Sequence, residues 1–359
     1  MQTKSNRRHS QLLHSYDEAQ RIAFGPLIFQ ATASAIDLGI LKKLSEIDAP
    51  VSIPALAKAC SLSEYGIRIL VELLSTAHIV TRHDNETYSL GKTGECLLFD
   101  RMTQVNFNFV RHVNFEASVH TTEAITKGIP AGLKEFDPSW KTLYPHLKDL
   151  PENARRAWFE FDHYYSDVSY QRCLSVLQEY KFKHLADIGG NTGKFAKMAL
   201  NSRDDLSVTI VDLPEQIGLM RNNPDLVGLH NRIYDHPINW LDQTQKLSFA
   251  EPVDCIWMSQ FLDCFSLSEA QSIIERAKES LDEDGIFVIL EPLWDHQPLE
   301  TSSLCLTATS LYFTIMANGN SRFFGKTELE SLIERSGLKV MSAHHHLGVS
   351  HSMYICRKA

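Results

Sequence analysis

Leu185-Ala186-Asp187-Ile188-Gly189-Gly190-Asn191-Thr192-Gly193, followed one helix-length later by Thr209-Ile210-Val211-Asp212-Leu213-Pro214, decides the fold. Apolar residues at 185, 186 and 188 suit the end of a buried strand. Gly189, Gly190 and Gly193 suit a tight turn where backbone approaches a ligand, and residues 194–200 read as the helix that follows. The second apolar run ends in Asp212, where an acid at a strand tip accepts hydrogen bonds from a ribose diol. The dinucleotide fingerprint G-x-G-x-x-G is not met, because Asn191 holds the place of its second glycine. No G-x-x-x-x-G-K-S/T phosphate loop occurs either. Asp187, directly before the glycines, repels a pyrophosphate but suits a ligand carrying an ammonium or sulfonium group. The stretch therefore predicts a nucleoside cofactor that is cationic rather than phosphorylated.

Downstream, apolar runs alternate with helical patterns: residues 185–188, 208–211, 253–258, 286–291, 338–342 and 352–356. Such alternation predicts a doubly wound, mostly parallel sheet with ligands at the carboxyl ends of its strands. The last two runs have no long helix between them and predict a closing antiparallel hairpin. Upstream, residues 14–47 have helical periodicity. Ser52 and Ser61 or Ser63 are candidate caps of two further helices, and Asp84-Asn85 is a hairpin turn between 79–82 and 87–90. Helix, turn, helix, hairpin is a winged-helix pattern. Charge argues against DNA as its partner and for a dimerisation platform, with a winged-helix regulator the least favoured reading: residues 51–90 carry three basic residues (Lys58, Arg68, Arg82) against four acidic ones (Glu64, Glu72, Asp84, Glu86). Residues 100–180 read as helices interleaved with aromatic side chains, of which Phe161 and Tyr165 are the candidates for an acceptor pocket.

The 359 residues suffice for two domains with real cores. A net charge of −9, from 35 basic and 44 acidic residues, argues against nucleic acid. No apolar run approaches the ~18 residues of a membrane helix. The first fifteen residues lack the apolar core of a signal peptide and read as a frayed, exposed tail. Seven cysteines without metal or disulfide spacing predict free thiols in a cytoplasmic protein.

On the D-I-G-G-x-T-G order together with V-D-L-P, the chain resembles the small-molecule S-adenosylmethionine-dependent O-methyltransferases, the family of plant caffeate-type and bacterial polyketide and phenazine enzymes. The resemblance spans residues 20–357. It implies an α/β fold of class I methyltransferase type, with a Rossmann-like seven-stranded sheet and a mainly α-helical N-terminal winged-helix dimerisation domain. It also implies a homodimer and S-adenosyl-L-methionine as cofactor, with no metal. Expected boundaries are 1–100 for dimerisation, 101–180 for a helical connector contributing to the acceptor pocket, and 181–359 for cofactor binding and catalysis.

Carried onto matching positions, the resemblance places Asp187, Gly189, Gly190 and Gly193 around the methionine end of the cofactor. Asp212 and Leu213 fall at the ribose, Asn239 and Trp240 at the adenine, and Ser259 and Gln260 at the tip of the next strand. Asn239 stands where the family has an aspartate. The larger departure is catalytic. The family's H-D-W falls on Asp263-Cys264-Phe265, so Asp263 replaces the general-base histidine, beside Glu291 as the retained supporting acid. The second supporting acid becomes Ser321. Two such carboxyls repel, which raises one pKa and leaves one proton between them. The base is then Asp263, or a histidine from elsewhere (His163, His351 or the run His344-His345-His346). A third possibility is that no strong base is needed, as for methyl transfer to a carboxylate or carbon. Residues 301–318 predict a helix over the acceptor, with Phe313, Met316 and Asn320 as contacts. The expected activity is O-methylation of a small aromatic hydroxyl compound; C- or N-methylation, or a catalytically inactive binding protein, are the alternatives.

Overall fold

The computed structural model describes residues 2–249 and 253–359. The chain divides into two compact units, Met1–Arg111 and His112–Ala359.

The first unit opens with α1 (Gln2–Asp37), which ends at Leu38 and the left-handed Gly39 before α2 (Ile40–Glu46). The expected frayed tail is instead the first part of α1. No glycine or proline interrupts residues 2–24, so nothing in the sequence stops the helix from running to its start, although residues 11–24 are almost wholly exposed. Next come β1 (Val51–Ser52), α3 (Ile53–Cys60), α4 (Glu64–Thr76), β2 (Val80–Arg82), β3 (Thr87–Leu90), α5 (Lys92–Phe99) and α6 (Arg101–Phe109). Ser63 caps α4, its hydroxyl accepting the Gly66 N–H at 3.0 Å. Ser52 sits at the N-cap of α3 without a side-chain bond. The three strands pair antiparallel in the order β1-β3-β2. Ile40, Leu41, Ile67, Val71, Leu74 and Tyr88 fill the core beneath them.

The second unit begins with helical segments, chiefly α7 (Thr121–Lys127) and the long α8 (Glu152–Leu177). It then alternates: β4 (His184–Ile188), α9 (Lys194–Ser202), β5 (Ser207–Asp212), α10 (Pro214–Arg221), β6 (Ile233–Pro237), β7 (Val253–Ser259), α11 (Leu267–Lys278), β8 (Leu281–Pro292), α12 (Glu300–Tyr312), α13 (Lys326–Arg335), β9 (Leu338–Leu347) and β10 (His351–Lys358). Seven strands form one sheet in the order β6-β5-β4-β7-β8-β10-β9; β4 to β8 are parallel, and β10 is antiparallel to both its neighbours. Both faces are covered. Ala186, Ile256, Met258 and Ile289 pack against α11 and α13, while Leu185, Ile210, Trp257 and Val288 pack against α8 and α9. This two-sided burial is why β4 and β7 read as continuous apolar runs.

The chain order reverses between β4 and β7, so a crevice opens beyond their carboxyl ends. Local chemistry fixes its walls. Phe195 of α9 stacks on Trp257 of β7 with ring centroids 4.0 Å apart, tying the helix after the glycine loop to the sheet. Helix α11 starts at a capping box in which Ser266 and Glu269 bond reciprocally. The short turn Leu262–Cys264 is thereby pinned between β7 and α11. Among the described residues no single helix is long and apolar enough to cross a membrane.

Candidate active site

The glycine loop occupies the crevice. Gly189 and Gly193 have φ of +75° and +82°, and the Gly189 N–H donates to the Val211 carbonyl at 2.8 Å, locking the loop to β5. A Cβ on Gly190 would lie 2.9 Å from Asp187 Oδ2, so this glycine is required by the acid behind it. Asn191, also left-handed at +49°, points its N–H at Asp212 Oδ2 (2.8 Å), and the Leu213 N–H donates to Asp212 Oδ1 (2.7 Å). Asp212 is thus fixed by two backbone donors, although burial pushes its pKa up to about 6. Asp187 is buried, its Oδ2 has no hydrogen-bond donor, and burial together with Asp212 pushes it up to about 8. An orphaned buried carboxylate oxygen beside a glycine cradle fits a cationic ligand group, which would restore its ionised form. The residues present therefore fit an ammonium- and sulfonium-bearing nucleoside.

The outer cofactor candidates play more structural parts. Asn239 is exposed, and its Oδ1 accepts the Leu241 N–H at 3.0 Å while its own N–H donates to Gln245 Oε1. Trp240 is buried in the core with Arg276 over its ring at 5.1 Å. Gln260 turns the chain out of β7 with a φ of +47°, its N–H held by the Leu290 carbonyl at 2.9 Å. Such a conformation in a non-glycine residue is strained and recurs at functional turns. The Ser259 hydroxyl is buried without a partner. Strand alternation puts it on the same sheet face as Asp187.

That turn delivers Asp263 to Glu291, the residue before the end of β8. Glu291 is fully buried; its Oε1 accepts the N–H groups of Phe261 (3.1 Å) and Leu262 (2.9 Å), and its Oε2 has no donor. Burial and the Asp263 charge hold Glu291 well above the carboxylate range. Asp263, 2 % exposed, is pushed up to about 7, chiefly by burial, with Asp162 of α8 adding to the shift and Glu291 opposing it by hydrogen bonding. With both carboxyls raised, one proton is shared between Glu291 and Asp263. The Cys264 thiol lies 3.4 Å from Asp263 Oδ1.

Around this pair stand residues that the sequence reading passed over. Trp158 of α8 donates its indole N–H to the Tyr312 hydroxyl at 2.7 Å, joining α8 to α12. Asp162 lies one turn beyond Trp158 on the same helix. The Asn318 amide donates to the Cys264 carbonyl, and its Oδ1 accepts the Ser321 hydroxyl at 2.8 Å. Ser321, standing where the family has its second acid, thus steadies the turn carrying Asp263 through Asn318. Of the acceptor candidates, Phe161 and Tyr165 face each other on α8 with centroids 5.0 Å apart. Phe313 packs edge-on against Phe323 at 5.2 Å. Met316 is fully buried, its sulfur against Gly132, and Asn320 is exposed and reaches Glu269 at 3.5 Å.

The histidines do not join the pair. His351 is fully buried, but β10 pairs Ser352 with Glu291, so alternation puts His351 on the opposite face; burial also lowers its pKa to about 4. His345 bonds to Ser352 and His346 stacks on His296 along β9. His163 lies against Phe159, and its charge acts on the neighbouring Asp162 rather than on the pair. Among the described residues no group of three or more His, Cys, Asp or Glu side chains has the geometry to hold a metal ion.

Comparison with known proteins agrees with this architecture. Residues 17–88 match the Dimerisation2-like domain and residues 152–339 the O-methyltransferase domain. Acetylserotonin O-methyltransferase of Homo sapiens is 19% identical over 339 residues, covering 90% of this chain and 94% of that protein. The structure of the mitomycin 7-O-methyltransferase superposes with a TM-score of 0.71 at 19% identity, covering 98% of this chain and 100% of that one. A pericyclic reaction enzyme superposes at 0.68 with 15% identity, covering 100% and 94%. The O-methyltransferase match extends over more than half of the sequence, and the chain belongs to the O-methyltransferase-domain family.

Proposed function

We propose that this chain methylates an oxygen of a small aromatic acceptor, with S-adenosyl-L-methionine as donor. The observation that carries the reading is the buried, donor-less Asp187 Oδ2 behind Gly190, one strand from Asp212. When bound, the cofactor supplies an electrophilic methyl group on a sulfonium centre. Asp187 accepts from the ammonium of its methionine end, and Asp212, already oriented by two amides, accepts from the ribose hydroxyls. Asp263 takes the proton of the acceptor hydroxyl. A carboxylate of ordinary pKa, ~3.9, falls about six units short of a phenol near ~10; at about 7 the gap is halved. Glu291, braced by the Phe261 and Leu262 amides, orients Asp263 and holds the second proton. Phe161, Tyr165 and Phe313 supply the aromatic walls.

The first unit serves self-association. Its match to a dimerisation domain, the absence of a basic face on its helix pair (Lys58 and Arg68 against Glu64 and Glu72) and the exposed Leu12, Leu13, Tyr16, Ile22, Phe24 and Leu27 of α1 support a homodimer over a DNA reader. Seven free cysteines support a reducing compartment such as the cytoplasm.

Calorimetric titration with S-adenosylhomocysteine, with NAD as control, tests the cofactor; cofactor consumption with a catechol panel tests the chemistry. A second reading, in which the cofactor is held but not consumed, is favoured by the missing histidine alone. Formation of S-adenosylhomocysteine with any acceptor would eliminate it.

A further inference from the structure

Helix α12 ends by loosening into the π-turn Phe313–Ala317, which frees backbone carbonyls for other partners. The Leu143 N–H takes one of them, that of Ala317, at 2.9 Å. The strap leading to Leu143 packs tightly on this turn: a Cβ on Gly132 would lie 2.7 Å from the Ile315 carbonyl oxygen. Asn318, next along the turn, donates to the Cys264 carbonyl. The end of α12 thus fastens both Tyr144, which follows the buried Leu143, and the Leu262–Cys264 turn that carries Asp263. The Tyr144 hydroxyl oxygen is buried, and among the described residues it has no hydrogen-bond partner. Cys264, Tyr312 and Asp263 all bear on it. The first two are engaged elsewhere: the Cys264 thiol lies 3.4 Å from Asp263 Oδ1, and the Tyr312 hydroxyl accepts from Trp158 at 2.7 Å. Burial above all, with Cys264 adding to it, holds the Tyr144 phenol well above its ordinary pKa, so it keeps its proton. A buried hydroxyl without an acceptor is costly in the free protein, and it calls for an oxygen brought by the ligand.

We propose that Tyr144 is a catalytic residue, whose hydroxyl donates a hydrogen bond to the acceptor oxygen while Asp263 takes that oxygen's proton. The inference rests on the methyltransferase reading and adds a residue to it. Asp263 at about 7 still falls about three units short of a phenol near ~10. A hydrogen bond to the phenolate favours the charged form and narrows that gap. Because burial holds Tyr144 above an ordinary phenol, the acceptor is the more acidic of the two, and Tyr144 steadies the phenolate without protonating it. A phenolate so held is a weaker nucleophile, but while the acceptor is mostly protonated the gain in its population outweighs that loss. The bookkeeping closes: the acceptor O–H proton passes to Asp263, an oxygen electron pair forms the O–CH3 bond, and the C–S bonding pair stays with sulfur. Tyr144 keeps its own proton throughout.

The test compares the full wild-type chain with Tyr144→Phe, which keeps the ring and the Leu143 anchor. In the complex with S-adenosylhomocysteine, 4-nitrophenol reports its own protonation state by absorbance, and a pH titration gives its apparent pKa when bound. That pKa should be about one unit higher in the variant, a tenfold loss of phenolate. In turnover at pH 8 the variant should lose about tenfold with 4-methoxyphenol but less than about twofold with the already ionised 4-nitrophenol. Its Tm should be unchanged or raised, because the hydroxyl removed had no partner in the fold. An unshifted nitrophenol pKa, equal losses with the two phenols, a Tm lowered by more than about 3 °C, or no binding of 4-nitrophenol to the wild type at about 10 mM would each overturn the proposal. Failure of the wild type to bind S-adenosylhomocysteine would instead sink the methyltransferase reading, so the two failures are distinguishable.

Discussion

Replacing Asp263 by Asn should move activity and stability in opposite directions. The carboxyl is 2 % exposed, and burial holds its pKa at about 7 against ~3.9 in an unfolded chain. Between those values the unfolded state is ionised while the folded state keeps its proton, so folding takes up a proton and stability falls as pH rises. The loss is complete above pH 7 and absent below pH 4. Three units correspond to about 4 kcal/mol; because the proton is shared with Glu291, roughly half of that belongs to Asp263. The Asn side chain keeps the shape and still accepts the Glu291 proton, but it carries no charge to desolvate. Asp263→Asn should therefore raise Tm at pH 8 by about 4–8 °C and leave it unchanged at pH 4. Turnover should fall by about 10²–10⁴, the range of general-base catalysis, with S-adenosylhomocysteine affinity unchanged. In the wild type kcat/KM should rise with pH through about 7, and that rise should vanish in the variant. Differential scanning calorimetry at the two pH values and initial rates from pH 5.5 to 9 are the assays. A variant destabilised equally at both pH values would refute the shared-proton argument, and retained turnover would remove Asp263 from the mechanism.

Three further outcomes follow from the cofactor side and the first unit. Asp187, held at about 8 in the free protein, must lose its proton to meet an ammonium, so S-adenosylhomocysteine binding should tighten as pH rises towards 8, by up to about tenfold per unit. Calorimetry at pH 6.5 and 8.5 should also detect proton release, and a flat profile would mean Asp187 does not face the ligand's cation. Gly190→Ala forces a Cβ to within 2.9 Å of Asp187 Oδ2 and should weaken that binding at least tenfold while the far-ultraviolet spectrum stays native; unchanged affinity would show that the loop is not the cradle. Ser63→Ala removes the cap of α4 and should destabilise the first unit by about 1 kcal/mol in urea unfolding, with no change in cofactor affinity.

The sheet was legible because its buried strands are apolar on both faces, and Gly189, Gly193 and Asp212 announced the crevice through backbone chemistry that few other residues can perform. What escaped was governed by packing. Strand β6 carries Tyr234, Asp235 and His236 and ends at Pro237; an edge strand tolerates that composition, and no apolar run marks it. Strand β8 begins five residues before its apolar run, at Leu281, and the intervening Asp282-Glu283-Asp284, partly or fully exposed, carry no strand-like apolar pattern. Asp162, Trp158 and Asn318 belong to no local motif. Their roles arise only when α8, the turn after α12 and the Leu262–Cys264 turn meet, and spacing along the chain does not encode that meeting. Met316 and Asn320 show the converse: neighbours in sequence of the right region, one turned into the core and one outward.

The exchange of a histidine for Asp263 is less drastic than it looks, because a general base is defined by its pKa and placement rather than by its residue type. Burial brings the carboxyl to the range an imidazole has in water, and the two amides on Glu291 set the direction in which it accepts. What changes is the sign of the charge. A histidine base is neutral before proton transfer and cationic after it; Asp263 is anionic before and neutral after. The pocket therefore attracts a cation most strongly in the resting complex and least once the acceptor proton has moved onto the pair. Replacing the histidine thus preserves a base of suitable pKa while inverting the charge it carries at rest.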